Sequence, residues 1–187
     1  MERKNIFIGK FLFAAVFVLL TAWTCVLCFY RLGEAGTHNW DEAIYGINAY
    51  EMIHSGNWWI QTYRYAVDYY NLKPPFIMWC IALCFKSLGF NYFAMRLPSA
   101  VAAVLLFLLI ELFMAKRFGK MAAIISGIVY VSCTDMIFFH MARSADADAL
   151  YLLMFMAAMV CLYEAEKRPW FLTGCGVFLS LAFMAKC

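Results

Sequence analysis

Charge is the scarcest property of this 187-residue sequence. Asp, Glu, Lys and Arg together make up 14% of it, about half the usual share for a soluble domain. Hydrophobic residues make up 66% and aromatics 19%. A soluble chain of this size cannot hide so much apolar surface, which excludes a soluble enzyme. The same composition excludes disorder. The net charge is only +3, and it is dispersed, so nucleic acid is excluded as a partner. No Gly-rich phosphate loop is present, and no nucleotide site is read. Cysteines in polar loops are missing too: Cys25, Cys28, Cys80, Cys84, Cys133, Cys161, Cys175 and Cys187 all lie in apolar runs. Neither the Cys25–Cys28 CxxC nor the Cys80/Cys84 pair has polar neighbours to orient a metal or redox centre. They read as packing residues. What remains is a chain whose solvent is lipid.

The run 6–30 is long enough to cross about 30 Å of hydrocarbon. Arg3, Lys4 and Lys10 flank its start and no small-residue cleavage site follows. It reads as an uncleaved first span with a cytoplasmic N-terminus. Further spans are read at 97–115, 121–139, 147–163 and 170–187, the last cut short. Lys116, Arg117 and Lys120 form one short basic loop, and Lys167 and Arg168 another. The positive-inside rule puts both in the cytoplasm. Parity then requires that the apolar segment 75–90 does not cross. It is short, roughly 24 Å as a helix, and Lys86 interrupts it. Residues 31–96 become a long outer loop carrying helices at 41–55 and 75–89, and 140–148 becomes a second outer loop. The fold class read is therefore an all-α integral membrane protein. It has about five transmembrane helices and two outer juxtamembrane helices, in a single module over 1–187.

This assignment gathers the chemistry on one face. His38, His54 and His140 all fall there, as do Asp41, Glu42, Asp68, Asp146 and Asp148. Asn39 or Asp41 is placed to cap the helix that follows. Along it Ala43, Ile44, Ile47, Tyr50 and Ile53 recur at helical spacing, with Glu42, Asn48, Glu51 and His54 on or near the other side. That pattern predicts a helix lying in the interface plane. Trp58, Trp59, Tyr63, Tyr65, Tyr69 and Tyr70 crowd 57–73, as an interfacial belt or as stacking surfaces for sugars or prenyl chains. Lys73 precedes Pro74 and Pro75 at a helix start near the membrane surface, which suits an anion or a snorkelling lysine. Asp146 and Asp148 form a DxD pair beside Arg143 and His140. Such carboxylates are suited to holding a divalent cation, orienting an acceptor, or fixing Arg143. The plain alternative is a solvated loop.

Taken in order, the chain carries W-D-E-A-x-Y at 40–45, S-G-N-W at 55–58 and N-x-K-P-P at 71–75. F-A-x-R-L-P-S-A follows at 93–100, then A-R-S-x-D-x-D-A at 142–149. This series resembles the polyprenyl-phosphate-dependent glycosyltransferases of the GT-C fold. It is most similar to the group of ArnT-like and dolichyl-phosphate-mannose–protein mannosyltransferases. The resemblance implies Asp41 as the base or acceptor-orienting carboxylate, with Glu42 beside it. It implies Lys73, with Arg143, as the contact to the lipid phosphate, and Asp146 and Asp148 as a second acidic loop facing the same cavity. His38 and His140 are further candidates. Some relatives carry Glu just before the Lys-Pro pair, where it helps to hold a metal. Here that position is Leu72, and a divalent metal, with Asp146 and Asp148 as candidate ligands, stays open.

The implied reaction moves a sugar from a polyprenyl phosphate to an acceptor lipid, glycan or protein. It takes place on the extracytoplasmic face of the inner or plasma membrane. Anionic lipid phosphate leaves, so cations are required, and a carboxylate takes the proton of an acceptor hydroxyl. Family members run longer, so this sequence reads as the N-terminal part of the fold, with room for a second chain that supplies missing spans. The competing class is a non-catalytic membrane subunit or an inactive remnant.

Overall fold

The computed structural model describes residues 2–37, 40–139 and 141–186, with the backbone alone for 2–10 and 136. Among these residues the chain is almost wholly helical. Its helices are α1 (Glu2–Phe29), α2 (Trp40–Ser55), α3 (Phe76–Leu88), α4 (Tyr92–Arg117), α5 (Lys120–Ser132), α6 (Thr134–Phe138), α7 (Asp148–Ala165) and α8 (Phe171–Ala185). One small hairpin pairs β1 (Thr62–Tyr63) with β2 (Ala66–Val67), Thr62 opposite Val67. Its two turn residues, Arg64 and Tyr65, have φ of 55° and 61°, as a tight two-residue hairpin requires.

Among the described residues, three helices are long and apolar enough to cross a membrane: Phe11–Phe29 within α1, then α4 and α7. At 13 to 15 residues, α3, α5 and α8 are shorter apolar helices. The stretch read as one span over 121–139 is broken at Cys133, whose ψ of 76° leaves the helical range. The Ser132 hydroxyl donates back to Val129 O at 2.8 Å, and Thr134 and Asp135 follow. Short polar side chains of this kind compete with the helical ladder. Conversely, α4 begins five residues before the predicted 97, because Asn91 Oδ1 caps it by accepting the Ala94 N–H at 2.8 Å. Arg96, near the start of α4, is buried and fully paired.

The polar side of α2 is turned into the protein rather than toward water. Glu42, Asn48 and Glu51 are buried, whereas Ile47 and Tyr50 are exposed. Asn48 Oδ1 accepts the Thr62 N–H at 3.0 Å. Glu51 accepts the Thr62 hydroxyl and the Tyr65 N–H. The polar side of α2 therefore holds the hairpin, and burial is tolerated because each group is bonded. Gly46 lets α4 approach: a Cβ there would lie 2.6 Å from Met95 Sδ.

The bundle has two chemically distinct ends. At one, Glu164 near the end of α7 binds Arg117 and Lys116 at the end of α4. Lys120, opening α5, lies over the Phe13 ring of α1. At the other end lie α2, the hairpin, the start of α4 and the segment 141–149. Lys186, following α8, reaches Asp148 at the start of α7, so these two helices run antiparallel. The segment 141–149 is no solvated loop. Ala142, Ser144, Ala145, Asp146, Ala147 and Ala149 are all buried, small enough for close packing of helix ends.

Candidate active site

Lys73 is held on both sides of its backbone. Asp68 Oδ1 accepts the N–H groups of Tyr70 and Asn71 at 2.9 and 3.3 Å. Asn71 Oδ1 accepts the Lys73 N–H at 3.3 Å, and Gln61 Nε2 donates to Lys73 O. This chain of short-range bonds, closed by Pro74 and Pro75, aims the side chain at α2. There Lys73 Nζ lies 2.8 Å from Asp41 Oδ2 and 5.0 Å from the centre of the Tyr45 ring. Both ion-pair partners are partly exposed. They open on a cavity of about 490 Å³ walled by Trp40, Asp41, Ile44, Tyr70, Asn71, Leu72 and Lys73.

A second acidic arm lies against the first. Asp148 pairs with Lys186. Asp146 is 4% exposed, and its Oδ1 accepts the Ala147 N–H at 2.8 Å. Burial first, then the Asp148 charge, raises its carboxyl above the ordinary range, against the pull of the Ala147 N–H. The buried Tyr45 hydroxyl has no hydrogen-bond partner among the described residues. Burial, then the charges of Asp146 and Asp41, push that phenol up, and Lys186 and Asp148 act on it too. Asp41, Lys73, Tyr45, Asp146, Asp148 and Lys186 thus form one electrostatic neighbourhood.

Glu42 is a different kind of carboxylate from Asp41. It is wholly buried, and Arg96 is 1% exposed. Arg96 Nε and Nη2 donate to Glu42 at 2.6 and 3.1 Å. The remaining donors reach Leu32 O and Ala35 O at 2.9 Å and Gly36 O at 2.7 Å. All five guanidinium N–H groups are met. Glu42 Oε1 also accepts the Ala145 N–H at 3.1 Å. The pair thus binds the segment after α1, the start of α2, α4 and the second acidic arm into one unit.

The structure brings Asp41, Lys73, Asp146 and Asp148 together and sets Arg143 apart. Arg143 Nη1 donates to Leu27 O at 2.8 Å, and the guanidinium lies 5.8 Å from the Phe138 ring. It faces a crevice formed with Trp23, Val26 and Tyr30. His38 and His140 lie outside the described residues. His54 stacks on Tyr50 and Phe90, away from the pair. Among the described residues, no three His, Cys, Asp or Glu side chains are grouped to hold a metal. Lys186, Arg96 and Tyr45 carry no role in the sequence reading. Arg96 stands within the F-A-x-R-L-P-S-A motif and Tyr45 closes W-D-E-A-x-Y, but neither motif names the partner its residue meets.

Residues 72–187, more than half of the chain, match the family described as dolichyl-phosphate-mannose-protein mannosyltransferase. The chain belongs to this family. The mannosyltransferase-family match covers Lys73, Arg96, Asp146, Asp148 and Lys186, while Asp41 and α2 precede it. Over 85 residues the chain is 39% identical to the undecaprenyl phosphate-alpha-4-amino-4-deoxy-L-arabinose arabinosyl transferase of Pseudomonas savastanoi pv. phaseolicola. That stretch is 46% of this chain and 16% of the relative. The fold is that of ArnT from Cupriavidus metallidurans, solved in the apo state. Its TM-score is 0.80 at 22% identity, over 92% of this chain and 33% of that one. The form of that ArnT bound to undecaprenyl phosphate matches equally, with a TM-score of 0.80 over 90% of this chain and 32% of that one. This family member is therefore an all-α integral membrane protein of the GT-C type. It spans about a third of the length of the solved ArnT chains.

Proposed function

We propose that the chain builds the lipid-phosphate side of a glycosyltransferase site, which moves a sugar from a polyprenyl phosphate to an acceptor. The observation that carries this reading is the Asp41–Lys73 pair, 2.8 Å apart and open to a cavity at the polar end of the bundle. Breaking the anomeric C–O bond leaves both electrons on the lipid phosphate. Lys73 is the ammonium placed to stabilise that charge. Where the acceptor is a hydroxyl, its oxygen forms the new bond to the anomeric carbon and its proton passes to Asp41. Asp146, Asp148 and Lys186, which share the electrostatic neighbourhood of Tyr45 and Asp41, orient the acceptor. Glu42 is a positioning residue, since Arg96 and the Ala145 N–H hold it. Arg143, on the α1 side, meets lipid at the bilayer rim. The positive charge among the described residues of this site comes from Lys73 and Lys186. The polar end faces outward, because Lys116, Arg117 and Lys120 lie at the other.

The test is transfer from a labelled polyprenyl-phosphate sugar, measured with the protein in membranes. Asp41→Asn is expected to lower turnover by about 10²-fold or more with polyprenyl-phosphate binding retained. Near-normal turnover in the variant removes Asp41 from the chemistry.

A further inference from the structure

Asn71 forms part of the wall of the cavity that Asp41 and Lys73 open on. Its side chain has one orientation. Oδ1 accepts the Lys73 N–H at 3.3 Å, and turning the amide over would set its NH₂ against that N–H, donor facing donor. Nδ2 therefore points away from the Lys73 backbone. The residue is 8% exposed, and Nδ2 has no hydrogen-bond partner among the described residues. A buried donor left unmet is unfavourable, and native folds rarely keep one without a ligand or water to meet it.

The local chemistry selects what that ligand is. Two residues away stands the Lys73 ammonium, and the position between them is Leu72, an exposed apolar side chain. The wall thus offers a neutral donor beside a cation, and its carboxylate, Asp41, is taken up as the ion-pair partner of that cation. A neutral donor and a cation together suit a group that only accepts and carries negative charge. A sugar hydroxyl has no need of the ammonium, and a metal ion would be repelled by it. We propose that Asn71 is a binding residue for phosphate: Nδ2 donates to one non-bridging oxygen while Lys73 Nζ holds another. This deepens the glycosyltransferase reading and rests on it.

The experiment measures binding of undecaprenyl phosphate to the purified full chain, with undecaprenol and inorganic phosphate as comparison probes. Asn71→Asp keeps the Oδ1 bond to Lys73 but replaces the donor by an anionic acceptor. Its affinity for undecaprenyl phosphate is expected to fall about tenfold or more at pH 8. The ratio to wild type should recover as the pH drops through the carboxyl range, because a protonated Asp donates again. Asn71→Ala, which loses the donor without adding charge, should weaken binding by a pH-independent factor. Competition by inorganic phosphate that weakens in the same variants assigns the contact to the phosphate group; competition unchanged by them overturns the proposal. Asn71→Asp binding as well as wild type at every pH also overturns it. A variant defect without the recovery at low pH does so too, since that marks a purely structural role. If the wild type binds undecaprenyl phosphate no better than undecaprenol, the glycosyltransferase reading itself fails.

Discussion

Asp41 and Glu42 are neighbours in sequence and opposites in environment. Asp41 is partly open to the cavity and pairs with a partly exposed lysine. Glu42 is enclosed with Arg96. Periodicity places both at the start of one helix and cannot separate them, because the difference is made by partners far along the chain. Asp146 shows a second consequence of burial. Its folded carboxyl titrates above its unfolded value. It therefore imposes no penalty below the ordinary carboxyl range, and destabilises increasingly as the pH rises from the unfolded value through the raised one. Asp146→Asn keeps the oxygen that accepts the Ala147 N–H and removes the buried charge. Its melting temperature in detergent should exceed the parent's at pH 7 to 8 and match it near pH 4. A gain of the same size at both would show that charge is not the cause.

At the level of elements, the helices of the polar end were legible in the sequence, and the side of α2 that faces inward was not. Apolar spacing locates a helix. It predicts the inward side only when the interior is apolar, and here the interior side of α2 meets Arg96, Thr62 and Tyr65. The break at Cys133 escaped for a related reason: hydropathy is continuous across it, and the interruption arises from side chains bonding to their own backbone. Arg96 is the tie among these elements, joining α4 to α2 and to the carbonyls after α1. Arg96→Ala removes the cation that faces the buried Glu42 carboxylate and the donor that meets three carbonyls. It should destabilise the polar end by about 3–5 kcal/mol, read as a lower melting temperature. Arg96→Lys, with three donors for five contacts, should recover part of that loss. A full-strength Ala variant would show that the tie is dispensable.

For the whole molecule, charge divides between the two ends of the bundle, and the sequence displayed that division plainly in its basic loops. It showed the motifs of the cavity as well, Asp41 and Lys73 above all. Lys186 was hidden, because a lysine at the end of an apolar helix looks like any snorkelling residue until Asp148 is seen beside it. The orientation is testable. Tyr69 is 86% exposed at the polar end, and Lys167 is exposed at the basic end. Tyr69→Cys should react with an impermeant thiol reagent in intact cells above the wild-type background, and Lys167→Cys only after lysis. The reverse pattern would invert the molecule. The Glu42 carboxylate carries a further implication for biogenesis. It must wait for the Ala145 N–H, 103 residues downstream, before its coordination is complete. Synthesis therefore leaves this clasp open until the nascent chain has delivered α1 to α6 and the segment that follows them.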